Sequence, residues 1–167
     1  MAEDMPFTSE EIKKLRELLE VEAVRKVRNL YSHLLDSGDI DALAAIFTED
    51  AQCEFGPYGE WQGRETIRTS YQQVFRDEIK QTFGSMHNTG NHWVELTSPT
   101  TAVGRIYLID ALTHRDPAGN PFEWLGVYDD AYEKVGGAWL IKRMSLQFLW
   151  PKRQMTDGFP GLFPPKG

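Results

Sequence analysis

The 167-residue sequence predicts an α+β fold, with helices packed on one face of a strongly curved antiparallel sheet to make a cone-shaped α+β barrel. Apolar residues recur at helical spacing through roughly the first 75 positions. From residue 85 to 150 the chain instead reads as four strands joined by short turns. Helices grouped first and an antiparallel meander grouped last is the α+β arrangement. No internal repeat or linker interrupts this order, so residues 1–150 are expected to form one domain.

Thr8-Ser9-Glu10-Glu11 is a capping box: Thr8 caps the helix and Glu11 reaches back. Behind it Ile12, Leu15, Leu19, Val24, Val27, Leu30, Tyr31 and Leu34 follow three- and four-residue steps, one stripe of a long helix. Gly38 is its stop. Asp39 caps a second, short helix whose apolar face is Ile40, Leu43, Ala44, Ile46 and Phe47, ended by Thr48-Glu49-Asp50. Residues 51–55 read as a strand, Gly56-Pro57-Tyr58-Gly59 as a turn and residues 60–63 as a short return. A third helix is predicted over residues 64–75. Four strands follow over 85–96, 101–115, 122–134 and 138–150, rich in β-branched and aromatic residues. The remainder, 151–167, is a Pro- and Phe-rich tail expected not to extend the sheet. Its Phe159, Leu162 and Phe163 suit either a cover over a pocket mouth, its own or a neighbour's, or packing on the parent subunit.

Composition narrows the function classes. Nine Phe, six Tyr and five Trp are too many for a disordered chain. A net charge of −7 argues against nucleic acid or an anionic membrane as partner. The single cysteine, Cys53, excludes an intramolecular disulfide framework and reads as a small buried strand residue. The acidic N-terminus lacks a following apolar run, and no segment approaches membrane-spanning length, so a cytoplasmic protein is expected.

Asp36 sits in the last turn of the long helix, where the macrodipole disfavours a carboxylate by roughly 0.3–1 kcal/mol. It is either solvated there or held near the core for a reason. His87 is either a hydrogen-bonded sheet residue or a base. By strict alternation it shares a face with Thr89, Asn91 and Trp93, and His92 shares the other with Val94 and Leu96. A bulge near Gly90 would turn both histidines inward. Asp110 can cap a strand end or serve a site, and His33 belongs to the solvent face. Asp36, His87 and His92 follow no established metal-ligand spacing, and no metal is expected.

The order of elements resembles the SnoaL-like branch of the nuclear-transport-factor-two-like superfamily over about residues 20–150. The resemblance rests on Leu30-Tyr31 to Leu35-Asp36, Phe47-Thr48-Glu49-Asp50-Ala51, Gly63-Arg64-Glu65-Thr66-Ile67, Ala102-Val103-Gly104-Arg105 and Tyr132-Glu133-Lys134 with Trp139. Within that branch the chain is similar to cofactor-free lyases such as bile-acid 7α-dehydratase, hexachlorocyclohexane dehydrochlorinase and scytalone dehydratase. These place an Asp late on the first helix beside a His on the sheet. The bile-acid enzyme adds a Tyr five residues before the Asp, a Met-His pair, and an Asp after a Gly-Arg-x-Tyr-Leu strand. Here those positions are Tyr31, Asp36, Met86-His87 and Asp110, the last after Gly104-Arg105-Ile106-Tyr107-Leu108. The Arg that enzyme carries late on its last strand has no counterpart in residues 144–148, so its substrate is not carried over.

The resemblance implies a lyase without metal or organic cofactor. His87 would act as base, Asp36 as its orienting carboxylate, Tyr31 as donor to an oxygen, and Asp110 as aid to a leaving group. Tyr58, Trp61, Tyr71, His92, Trp124 and Phe148 are the expected substrate contacts; the aromatic excess suits equally a pocket for a hydrophobic cyclic or aromatic substrate and the filling of the cone and a subunit interface. A homo-oligomer is implied, a trimer favoured over a dimer. Two other classes remain open: the non-catalytic β subunit of an aromatic-ring dioxygenase, which shares this fold, and a small-molecule binding module.

Overall fold

A computed structural model describes residues 7–156 of the chain. Helix α1 (Ser9–Ser37) starts from the predicted capping box: Thr8 accepts the Glu11 N–H, and Glu11 accepts the Thr8 N–H at 2.7 Å. It ends at Gly38, whose φ of 78° is left-handed and which has no room for a side chain. A Cβ there would lie 2.5 Å from Cζ of Phe75. Helix α2 (Ile40–Ala45), capped by Asp39, stops earlier than expected, and β1 (Phe47–Glu54) takes over the residues predicted to finish it. The reason is packing: Phe47 is fully buried and pairs with Ile141, while Arg64 binds its carbonyl through two nitrogens at 2.9 and 2.6 Å.

A 3₁₀ turn (Gly56–Tyr58) leads into β2 (Glu60–Gln62) and α3 (Arg64–Val74). A π-helical stretch (Phe75–Ile79) prolongs α3 toward β3 (Ser85–Ser98). Strands β4 (Thr101–Leu112), β5 (Phe122–Val135) and β6 (Ala138–Trp150) complete the meander. β4 ends short of Arg115 because the chain turns at Leu112, whose N–H reaches the Pro121 carbonyl at 2.8 Å.

The sheet runs β2-β1-β6-β5-β4-β3. Every pairing is antiparallel except β1 with β6, which is parallel because the last strand returns beside the first. The helices cover one face. Val24, Tyr31 and Leu35 of α1 and Ile67 and Tyr71 of α3 meet Ile106, Tyr128, Tyr132, Ile141 and Met144 of the strands in one core. The opposite face carries cross-strand ion pairs, Arg105 with Asp129 at 2.8 Å and Arg143 with Glu54 at 2.7 Å.

The tail does touch the sheet, contrary to expectation. Phe148 and Gln154 exchange backbone hydrogen bonds of 2.9 and 3.0 Å. The edge of β6 is open at that point because β1 finishes at Glu54, opposite Ser145. Phe159, Leu162 and Phe163 lie outside the described residues. Among the described residues no helix is long and apolar enough to cross a membrane.

Candidate active site

Asp36 is 5% exposed, so the helix end is not solvated there. Its two oxygens hold one residue of the sheet. Oδ1 lies 2.6 Å from His87 Nδ1, and Oδ2 accepts the His87 backbone N–H at 3.0 Å. With a carboxylate on Nδ1, the ring carries its proton there and turns Nε2 outward as an acceptor. Nε2 faces Asp110, with Oδ2 at 3.9 Å, and Asp110 Oδ1 accepts from Ser85 Oγ at 2.6 Å. The register places His87 directly across from Asp110 on β4, and Asp110 across from Trp124 on β5. Burial works against the imidazolium, but the Asp36 hydrogen bond and the charges of Asp110 and Asp36 outweigh it. The His87 pKa therefore stands above its ordinary 6.5.

His87 Nε2 opens into a cavity of about 180 Å³ between the helices and the sheet. An apolar cavity of ~150 Å³ takes up benzene, so the enclosed part suits about one ring. Tyr31 and Leu35 of α1 line it together with Leu108, and Ser85, His87 and Asp110 form its polar wall. The predicted aromatics line it as well. Trp61 meets Tyr71 edge-on at 5.0 Å between centroids, and Trp124 meets Phe148 at 4.8 Å, with Tyr58 beside them. Glu78, Ile79 and Glu123 also border the space. Burial and the neighbouring Glu123 hold the Glu78 carboxyl above its ordinary range.

Tyr31 and Asp36 are five residues apart, about 140° around a helix. The structure resolves the geometry by giving them different depths. Tyr31 lines the cavity itself, whereas Asp36 stands behind His87 and reaches the space only through its ring. The Tyr31 hydroxyl lies 2.7 Å from that of Tyr71. Whichever donates, the other keeps a hydrogen for a third group. Burial pushes both phenols well above their ordinary value of 10.

One expected contact is not made. His92 does not line the cavity, although a register shift between Gly90 and Trp93, with Asn91 at φ 55°, does turn it inward. It lies five residues beyond His87 on a strand rising about 3.3 Å per residue, next to Tyr132 rather than the cavity. Burial first, then the Arg28 and Arg25 charges, lower its pKa to about 3. His33 is exposed as expected, and burial pushes the Cys53 thiol well up, away from reactivity.

Sequence reasoning did not single out Ser85, Glu78 or Arg28. Ser85 was within reach, two positions before His87 and so on its face by alternation. Arg28 was too: it follows Val24 by four and precedes Tyr31 by three, a cation inside the apolar stripe. It is 0% exposed, and its Nε lies 2.9 Å from Asp130 Oδ2. Glu78 sits on the π-helical stretch, which has no periodic signal.

Known proteins bear out the fold. A proposed scytalone dehydratase from Novosphingobium aromaticivorans DSM 12444 superposes with a TM-score of 0.71 at 24% identity, over 85% of this chain and 95% of that one. An NTF2-like protein from Novosphingobium aromaticivorans gives 0.72 at 20% identity over 89% and 94%. The β subunit of a proposed aromatic-ring-hydroxylating dioxygenase from the same bacterium gives 0.67 at 11% identity over 79% and 90%. At these identities the likeness is one of fold. The family model of the SnoaL-like domain matches residues 16–145, from the first third of α1 to the middle of β6, and so encloses Tyr31, Asp36, His87 and Asp110; the chain belongs to the SnoaL-like domain family.

Proposed function

We propose that the protein is a cofactor-independent lyase that removes a C–H proton from a hydrophobic cyclic or aromatic substrate and expels water. The observation that carries this reading is the doubly anchored His87. Asp36 holds its ring and its backbone, and Nε2 points into a mostly apolar cavity. In the reaction His87 Nε2 takes the proton, and Asp36 stabilises the imidazolium as it forms. The electron pair left on carbon moves toward an adjacent carbonyl, whose oxygen accepts from the Tyr31–Tyr71 pair. It then returns to form the C=C bond as the β C–O bond breaks. The departing hydroxide takes the proton back from His87 and leaves as water. Asp110, 3.9 Å from Nε2, is placed to hold the leaving hydroxyl between itself and the imidazole. A carbon–carbon cleaving version uses the same groups: the base takes a hydroxymethyl O–H proton, the C–C bond breaks to release formaldehyde, and the electron pair left on carbon expels a β hydroxide that takes the proton back from His87 and leaves as water.

The aromatic walls support a ring-bearing substrate, and the cavity volume supports one ring in the enclosed part. The reading as a non-catalytic dioxygenase β subunit has only likeness of fold behind it, and that role makes no use of a histidine held between two carboxylates. The test is a panel of β-hydroxy ketones on aromatic bicycles, followed by ultraviolet absorbance of the conjugated product. His87→Ala is expected to abolish turnover while circular dichroism and melting temperature stay near the parent's. Parent-level turnover in that variant would sink the mechanism.

A further inference from the structure

The proposed reaction gives no part to Arg28, although a buried cation is the costliest group a helix can bring into a core. Its neighbourhood does not look like a device for holding the fold. The one ion pair, to Asp130, is made through Nε alone, and among the described residues none of the three guanidinium nitrogens has a well-aligned hydrogen-bond acceptor. Asp130 is itself shared, since its Oδ2 also accepts from the Tyr132 hydroxyl at 3.0 Å. Pairs of this kind are often replaced by apolar residues without loss of stability. What Arg28 does meet closely is aromatic. Its guanidinium carbon lies 4.4 Å from the ring centroid of Tyr31 and 4.0 Å from that of Tyr128. Both rings line the cavity, and the Tyr31 hydroxyl is the one bonded to Tyr71.

A cation over the face of a phenol stabilises the phenolate more than the phenol, because the ionised ring is richer in electrons. With Arg28, Tyr31 and Tyr128 all buried, that preference is weakly screened. We propose that Arg28 is a positioning residue: its charge, set over the Tyr31 and Tyr128 rings, strengthens the Tyr31–Tyr71 hydroxyl pair as hydrogen-bond donor to an oxyanion forming on the substrate. The role rests on the lyase reading, which supplies the oxyanion. The groups facing Tyr31 are Tyr71 from α3, Tyr128 from β5 and His87 from β3; Asp130 and Tyr132 of β5 stand behind Arg28. Of these, Asp130 alone opposes Arg28 directly, so the two charges give the proposal a signed test. Burial sets both phenols high; Arg28 pulls Tyr31 back, and for Tyr71 the hydrogen bond with Tyr31 does so first and Arg28 after it.

The experiment places a polyfluorinated tyrosine, acidic enough to titrate before the fold does, at residue 31 and follows it by fluorine NMR. Asp130→Asn leaves the cation uncompensated, and the label's pKa is expected to fall by about one unit, tenfold in acidity. The double variant Arg28→Met with Asp130→Leu removes the pair, and the pKa is expected to rise by a similar amount. A structural role would move both the same way or neither, and either result overturns the proposal. If circular dichroism shows the double variant unfolded, Asp130→Asn decides alone: no downward shift ends it. The readout needs no turnover. Parent-level activity in His87→Ala would therefore remove the lyase reading and leave this result standing, and the reverse holds equally.

Discussion

Asp36 accepts twice from a single residue, and the two bonds do different things. The ring bond at 2.6 Å fixes the tautomer; the backbone bond at 3.0 Å ties the end of α1 to β3. Asp36→Asn keeps an oxygen for one of these and loses the charge. Turnover on an active substrate is expected to fall about 10²–10⁴-fold, the range for a positioned base and its orienting acid. The pH dependence has a definite sign. A base must be neutral in the free enzyme, so kcat/KM should rise with pH through the raised His87 pKa, with its inflection above 6.5. In Asp36→Asn that inflection should move down, and an imidazole NMR titration should track it. Stability follows by linkage. A pKa raised in the folded state contributes in full below the unfolded value and is lost as pH climbs through the folded one. Tyr31, Asp36, His87 and Asp110 were legible only as a set, by resemblance to the lyases. Singly, each had an ordinary reading. Asp130, the partner of Arg28, was not legible, since nothing in local spacing ties a strand carboxylate to a distant helix.

At the scale of elements, Gly38 joins the end of α1 to the end of α3. Its left-handed φ of 78° and the Phe75 ring, which would lie 2.5 Å from a Cβ, both disfavour a side chain. Gly38→Ala is expected to cost at least about 1–2 kcal/mol from the backbone alone, read as a lower urea midpoint at unchanged slope. The caps, the hairpin turns and the period of each long element were readable because each is local chemistry. The end of α2 was not: Ile46 and Phe47 continue a helical pattern, and only burial of Phe47 against β6 makes it a strand. The parallel β1–β6 pairing was equally hidden, as it depends on how the sheet curls back. The bulge after Gly90 was anticipated as a means of turning His92 inward. What that inward face would hold at His92, Tyr132 rather than cavity, depends on how far along β3 it lies.

At the scale of the molecule, exposed apolar groups among the described residues include sets on α1 and on β4. Leu15, Leu18 and Leu19 of α1 are 42%, 54% and 69% exposed, and Tyr107 and Ile109 on the outer face of β4 are 56% and 42% exposed. Apolar exposure of this kind supports the proposal of a homo-oligomer. Light scattering is expected to give about three times the 19.1 kDa of one chain, and the mass of a single chain would remove both trimer and dimer. The placement of the cavity groups has one more consequence. The side chains proposed to handle protons ride on α1, β3 and β4, whereas the aromatic walls come from the β1–β2 turn, β2, α3, β5 and β6. Apart from Tyr71 of α3, which serves both, the two sets belong to separate stretches of chain. Substitutions can therefore accumulate in the walls, exchanging one ring-bearing substrate for another, while the acid–base apparatus is inherited unaltered. A scaffold divided in this way can diversify its selectivity without rebuilding its chemistry.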